Sequence, residues 1–227
     1  EHPDRYTTEK IRDIKATIDS ADFECLFMQH GIEKEGLAFP SDSLKYFIGI
    51  LRPVEPDNIM FFCDVAFGGG DSLSMPICYV YGEEGYIVDV VFDKSPKDIT
   101  QPRVVGKIMQ HKVKMGRFEA NNGGDFFCDD VSSILKEKGY HCNLTHKKAP
   151  TNMSKLSRIE QYSPEIRQLY FLTDTKRSDE YRRFMNELTS FSFTTKNLHD
   201  DAPDSMAGLC SYLSTGIKSV TVARRLF

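Results

Sequence analysis

Residues 58–95 read NIMFFCDVAFGGGDSLSMPICYVYGEEGYIVDVVFDKS. The run 59–65 is almost unbroken in apolar residues, the pattern of a strand covered on both faces. Three glycines, Gly68, Gly69 and Gly70, then interrupt it. Residues 75–81 read as a second strand. Gly85 turns the chain into a third, 86–92, and the short GEEG link makes the pair an antiparallel hairpin. The main domain therefore opens with a three-stranded meander.

Downstream, helix and strand patterns alternate. A helix is expected over about 102–115, with Pro102 near its start and Gly116 at its end. RFEANN (117–122) reads as a short fourth strand, DFFCDDVSSILKEKGY (125–140) as a helix closing at Gly139, and HCNLTHK (141–147) as a fifth strand. Mixed helix and short strand follow. SDEYRRFMNELTSF (178–191) is a clear helix, and HDDAPD (199–204) opens the last one. This order implies an α/β domain, a mixed sheet flanked by helices. It is also the order of the ribonuclease H-like fold.

Upstream, YTTEKIRDIKATIDSADFECLFMQ (6–29) reads as one or two amphipathic helical segments, with Ile11, Ile14 and Ile18 at helical spacing. A looser stretch with Pro40, Pro53 and Pro56 leads to residue 58. Residues 1–57 are therefore expected to form an N-terminal helical arm or linker, and 58–227 the main domain.

The chain has 227 residues, and its 40% hydrophobic content is enough for a substantial core. No apolar run approaches the roughly 18 residues of a membrane span. The charged start EHPDRYTTEK shows no signal peptide. It also lacks an initiator Met, so a piece of a longer protein is expected. Six cysteines lie scattered without a CxxC pair, which favours buried free thiols over a zinc site. The net charge of −4 hides a segregation: residues 101–118 carry five Lys/Arg and no acid, and 144–159 carry Lys147, Lys148, Lys155 and Arg158, again without an acid. Either tract can bind DNA phosphates. For Lys112 and Lys114 the dipole at a helix C-terminus is an equal explanation.

The acids gather elsewhere. Asp64 ends the first strand among apolar neighbours, where a carboxylate is rarely tolerated unless paired or metal-bound. Asp71 lies in the glycine loop and can face the same point. Glu119 closes the fourth strand, with Asn121 and Asn122 supplying either oxygen ligands or a turn. Asp125, Asp129 and Asp130 fall in or near a first helical turn, where the dipole accounts for them. Asp200, Asp201 and Asp204 crowd the start of the last helix. One Asp there is an ordinary cap; three repel one another unless a cation sits among them. His199 can tune a neighbouring Asp, contact a metal, move a proton or be a polar loop residue. With the first and fourth strands adjacent, the three acidic places meet at one sheet edge. Carboxylate oxygens there suit Mg²⁺ or Mn²⁺, and two such ions about 3.5–4 Å apart make a phosphodiester-cleaving centre.

DVAFGGGDS, FEANNGG and above all HDDAPDSMAG resemble the C-terminal nuclease domain of the large terminase subunit of tailed bacteriophages. KLSRIEQYSPEIRQLYFL is similar to the segment between the second and third acids of that family, and FECLFMQHGIEKEGLAF to the tract joining motor domain to nuclease. The resemblance implies a ribonuclease H-like, two-metal endonuclease that cuts concatemeric viral DNA during genome packaging. Asp64, Glu119 and Asp201 would be the catalytic metal ligands, with Asp200 adjacent and Asp71 and Asp204 supporting. It implies two Mg²⁺ or Mn²⁺ ions and double-stranded DNA as substrate. In the full-length protein it implies a packaging ATPase domain, a small terminase subunit and a portal as partners, and the cytoplasm of the infected bacterial host as location. No GxxxxGK[ST] occurs, so the ATPase domain is expected to be missing from this chain. Another ribonuclease H-like nuclease, such as a junction resolvase, would share the acids; a non-enzymatic packaging adaptor would need no metal.

Overall fold

The computed structural model describes residues 36–66 and 70–216. The expected helices over 6–29, Gly68 and Gly69 lie outside the described residues. Seven strands form one mixed sheet: β1 (Lys45–Phe47), β2 (Asn58–Cys63), β3 (Leu73–Tyr81), β4 (Glu84–Asp93), β5 (Met115–Glu119), β6 (Asn143–Lys147) and β7 (Tyr170–Leu172), in spatial order β1-β7-β4-β3-β2-β5-β6. The β2–β3 and β3–β4 pairs are antiparallel, and β2–β5 and β5–β6 are parallel. Among the described residues five helices flank it: α1 (Lys97–Gln110), α2 (Gly124–Glu137), α3 (Lys155–Gln168), α4 (Asp179–Ser190) and α5 (Asp201–Gly216). Among the described residues, no helix is long and apolar enough to cross a membrane.

The central strand explains its own sequence. Ile59, Phe61 and Cys63 of β2 join the core under α1 and α2, while Met60 and Phe62 join the core under α3, α4 and α5. A strand covered on both faces has no reason to alternate polar with apolar residues. The same parity carries the chain's chemistry. Residue 64 continues the 60–62 side, and Glu119 lies opposite in parity to Phe118, which belongs to the α1–α2 core. Both acids therefore lie on the α3–α5 side of the sheet. On that side α5 crosses β2 closely: a Cβ on Gly208 would meet the Phe62 ring at 2.3 Å.

Several boundaries differ from the sequence expectation. The hairpin turn is made by Gly82 and Glu83, with Gly82 at φ +63°, whereas Gly85 lies within β4. Helix α1 begins near Pro96, whose carbonyl accepts the Ile99 N–H, so Pro102 is interior to the helix. It ends at Gln110, ahead of Gly116, because Lys112 adopts a left-handed conformation at φ +52°. The Lys112 and Val113 N–H groups then return to the Met109 and Ile108 carbonyls, the closure of a Schellman motif. RFEANN is only partly strand: β5 stops at Glu119 and a 3₁₀ turn (Asn121–Gly123) follows.

The stretch expected as an arm is in part a piece of the sheet. β1 pairs in parallel with β7 at one edge, Leu37 bridges Ser192, and Ala38 and Phe39 are buried in the core. Its apolar residues 37–39 and 47 are covered by the domain, a packing that three-residue strands do not announce in sequence.

Candidate active site

Three elements end at one point. Asp64 follows β2 and is held by paired backbone bonds with Ser74 on β3, 2.9 and 3.0 Å. Glu119 closes β5, the parallel neighbour of β2. Asp201 and Asp204 lie on the first turn of α5. Asp64, Glu119, Asp201, Asp204 and Asp71 line one cleft of about 420 Å³ with Asn121, Lys155 and Arg158. Ser74 Oγ and Ser205 Oγ, 2.7 Å apart, tie β3 to α5 behind it.

Four of the carboxylates are aimed by a partner. Asn121 Nδ2 donates to Glu119 Oε1 at 2.8 Å, and the Ser72 N–H donates to Asp201 Oδ2 at 2.7 Å. Arg158 Nε donates to Asp204 Oδ1 at 2.9 Å, and Arg158 Nη1 lies 3.3 Å from Glu119. Lys155 Nζ reaches Asp200 at 2.7 Å and Asp204 at 3.2 Å. These bonds bear on whether the last helix merely uses its acids as caps. The Ala202 N–H in its first turn is taken instead by Glu187 of α4 at 2.9 Å. The carboxylates of Asp200, Asp201 and Asp204 bond outward, to Lys155, Ser72 and Arg158.

The electrostatics show an excess of negative charge. Glu119 is 8% exposed, Asp201 4% and Asp204 2%, so water does little to screen them. Burial, then the Asp204 and Glu119 charges, push Asp64 up from 3.8 to about 8. Burial also raises Glu119, against the opposing pull of Arg158, and raises Asp201, against the Ser72 N–H. Burial pulls Lys155 and Arg158 downward, but Asp204 and its neighbours outweigh it and both are raised. Five carboxylates line the cleft with two cations, and Asp64, Glu119 and Asp201 are held above their ordinary values. An oxygen-rich, under-compensated donor set of this kind fits a hard divalent cation. A second group overlaps it: Asp71, His199 and Asp201 each offer a ligand atom within 4.8 Å of the others. Lys94 Nζ stands 3.4 Å from His199 Nε2 and donates to the Gly70 carbonyl at 2.7 Å.

The remaining sequence candidates divide. Asp200 is half-exposed and bonds Lys155. Lys155 and Arg158, expected to bind DNA, turn inward onto the acids at the start of α3. Lys147 and Lys148 line a second groove that adjoins the cleft. Lys112 and Lys114 sit before β5, and the Lys114 N–H bonds Ile59 at the start of β2. Five residues of strand, roughly 16 Å, separate them from Glu119. Asp125 lies in the first turn of α2, with Asp129 and Asp130 a turn beyond; Asp130 pairs with Lys97. Sequence reasoning missed the orienting role of Asn121, although a polar residue two positions from a strand-end acid was its available signal.

No family model and no curated protein matches this sequence. Solved structures do. The large terminase of a thermophilic bacteriophage superposes with a TM-score of 0.52 at 10% identity, over 92% of this chain and 53% of that one. The human cytomegalovirus terminase nuclease domain, manganese-soaked and inhibitor-bound, superposes with a TM-score of 0.55 at 11% identity, over 81% of this chain and 98% of that one. This chain thus spans about half the length of the phage protein and is matched by nearly all of the cytomegalovirus nuclease domain. At these identities the likeness concerns architecture: the chain has the ribonuclease H-like fold of the nuclease domain of terminase large subunits.

Proposed function

We propose that this chain is a divalent-metal-dependent endonuclease that cuts concatemeric viral DNA during genome packaging. The observation that carries the reading is the convergence of Asp64, Glu119 and Asp201 from two parallel strand ends and a helix start into one cleft. The shared fold with terminase nuclease domains supports it.

Asp64, Glu119 and Asp201 would hold two Mg²⁺ or Mn²⁺ ions, with Asp71, Asp200, Asp204 and His199 at the margins. When bound, such ions supply charge for the phosphate and its leaving oxygen and lower the pKa of an attacking water. The chain's own part is positioning. Asn121 and the Ser72 N–H fix two carboxylate orientations. Arg158 and Lys155 hold Asp204 and Asp200 in place. Lys147 and Lys148 would hold the DNA backbone without reading sequence. In the full-length protein, a packaging ATPase domain, a small terminase subunit and a portal in the infected bacterial cell would govern when it cuts.

The purified chain should nick or degrade plasmid DNA in Mn²⁺ or Mg²⁺ with little sequence preference, and should stop in EDTA. Gel analysis of supercoiled, linear and branched DNA checks this. Undiminished cutting in excess EDTA removes the metal mechanism, and cutting confined to branched DNA replaces the packaging reading with a junction resolvase.

Lys147 and Lys148 are both exposed. Changing both to Ala should flatten the slope of log affinity against log salt by up to about 2, if each neutralises one phosphate. Fluorescence anisotropy across a salt series measures it; an unchanged slope assigns both lysines to solvent.

A further inference from the structure

The groove beside the acidic cleft has a character of its own. It holds about 380 Å³ and shares Glu119, Ala149, Pro150, Met153 and Arg158 with the cleft, so the two are one continuous depression divided at the 149–153 loop. Past that divide the charge reverses. Arg117, Lys147 and Lys148 line the groove, and Glu119, at its boundary with the cleft, is its single acid. Arg158 is already committed to Glu119 and Asp204.

Arg117 is the last cation of the 101–118 tract. It stands two residues before Glu119 on β5, so strand parity sends both side chains to the α3–α5 side, about 7 Å apart along the strand. That separation is of the order of one backbone step in a nucleic-acid strand. Its guanidinium carbon lies 4.1 Å from the centre of the Tyr212 ring on α5, and its Nε is buried without a hydrogen-bond partner. A cation stacked on an aromatic face keeps its charge and its planar donors in a fixed place. No carboxylate is paired with Arg117 among the described ion pairs, in contrast to Lys155 and Arg158. A cation so fixed, one strand step from the acids and flanked by two lysines, suits a phosphodiester anion.

We propose that Arg117, stacked on Tyr212, binds the DNA phosphate next to the one being cut, and that this groove carries the strand away from the acidic cleft. The inference rests on the nuclease reading for the position of the cut, but not for the binding itself. Arg117 acts here as a positioning residue.

The test reads binding and cutting separately, on the full chain. Affinity for a plain DNA duplex is measured in EDTA across a salt series, and cleavage of the same duplex in Mn²⁺. Arg117→Gln should flatten the salt slope by about 1, the loss of one phosphate contact, and raise KM with kcat little changed. Arg117→Lys should restore most of the slope. Because Arg117 packs on a buried ring, a second variant avoids the interior: Thr215→Glu places a negative charge on an exposed residue of the groove wall. It should weaken binding while melting like the parent. An unchanged slope in Arg117→Gln, or parental affinity in Thr215→Glu, overturns the subsite, as does a parent that binds no DNA. A parent that cuts, with both variants unaffected, keeps the nuclease reading and loses the subsite. A parent that binds through Arg117 yet never cuts keeps the subsite and loses the nuclease.

Discussion

Asp201→Asn should reduce plasmid cleavage to background while leaving the melting temperature in EDTA at or above that of the parent. Asn keeps an oxygen to accept the Ser72 N–H, so the loop contact survives. The Ala202 N–H is served by Glu187, so the helix start does not depend on the lost charge. What disappears is one negative charge among acids that raise one another, and that loss relieves repulsion. A role in helix capping predicts the opposite: cutting like the parent, with a loss of about 1 kcal/mol only in Asp201→Ala. Parental cleavage by Asp201→Asn would return HDDAPD to an ordinary helix start.

Arg158→Met should destabilise the fold by about 3 kcal/mol, since removing one partner of a buried ion pair strands the other charge. For a chain of this size that is roughly a 10 °C fall in melting temperature. The Arg158 side chain is 12% exposed, that of Asp204 2% and that of Glu119 10%, so solvent cannot take its place. Proton uptake by the neighbouring acids and the remaining Lys155 set the loss at the low end of the range for buried pairs. Adding Asp204→Asn should recover more than half of it. A melt indistinguishable from the parent would mean that the guanidinium carries no such burden.

The site also makes metal-free stability depend on pH. Asp64 titrates near 3.8 when unfolded and near 8 when folded. Between those values the folded state holds a proton that the unfolded state has released. Its contribution therefore favours folding at the acid end and is lost as pH rises toward about 8. In EDTA, Asp64→Asn should gain stability relative to the parent across that interval and keep the gain above it. Paired thermal melts of the two proteins at several pH values read the difference directly; a difference that does not vary with pH would contradict the assignment.

Much of this was legible in the sequence, and the reasons are physical. The 59–63 run reads as a central strand because both of its faces are covered. The sequence reading takes the first and fourth strands of the domain as neighbours; β2 and β5 are, and their pairing brings Asp64 and Glu119 together. Asp201 joins them because the acids at the start of α5 exceed what a helix start needs. Lys155 and Arg158 could not be placed in the same way. A basic pair in an acid-free tract reads as a DNA-binding surface, and only the packing of α3 against α5 turns it inward. Arg117 falls in the basic 101–118 tract, but nothing in the sequence shows that Tyr212 lies over it. β1 escaped because three residues carry no periodicity.

On the nuclease reading, Asp64, Glu119 and Asp201 together hold the divalent ions. Thermal melts of the parent, Asp64→Asn, Glu119→Gln and Asp201→Asn, each in EDTA and in Mn²⁺, test it most directly, because an ion that binds only the folded state raises its stability. The parent should show a Mn²⁺-dependent rise that shrinks or vanishes in every one of the three variants. A parent indifferent to Mn²⁺, or variants that keep the whole rise, would contradict it.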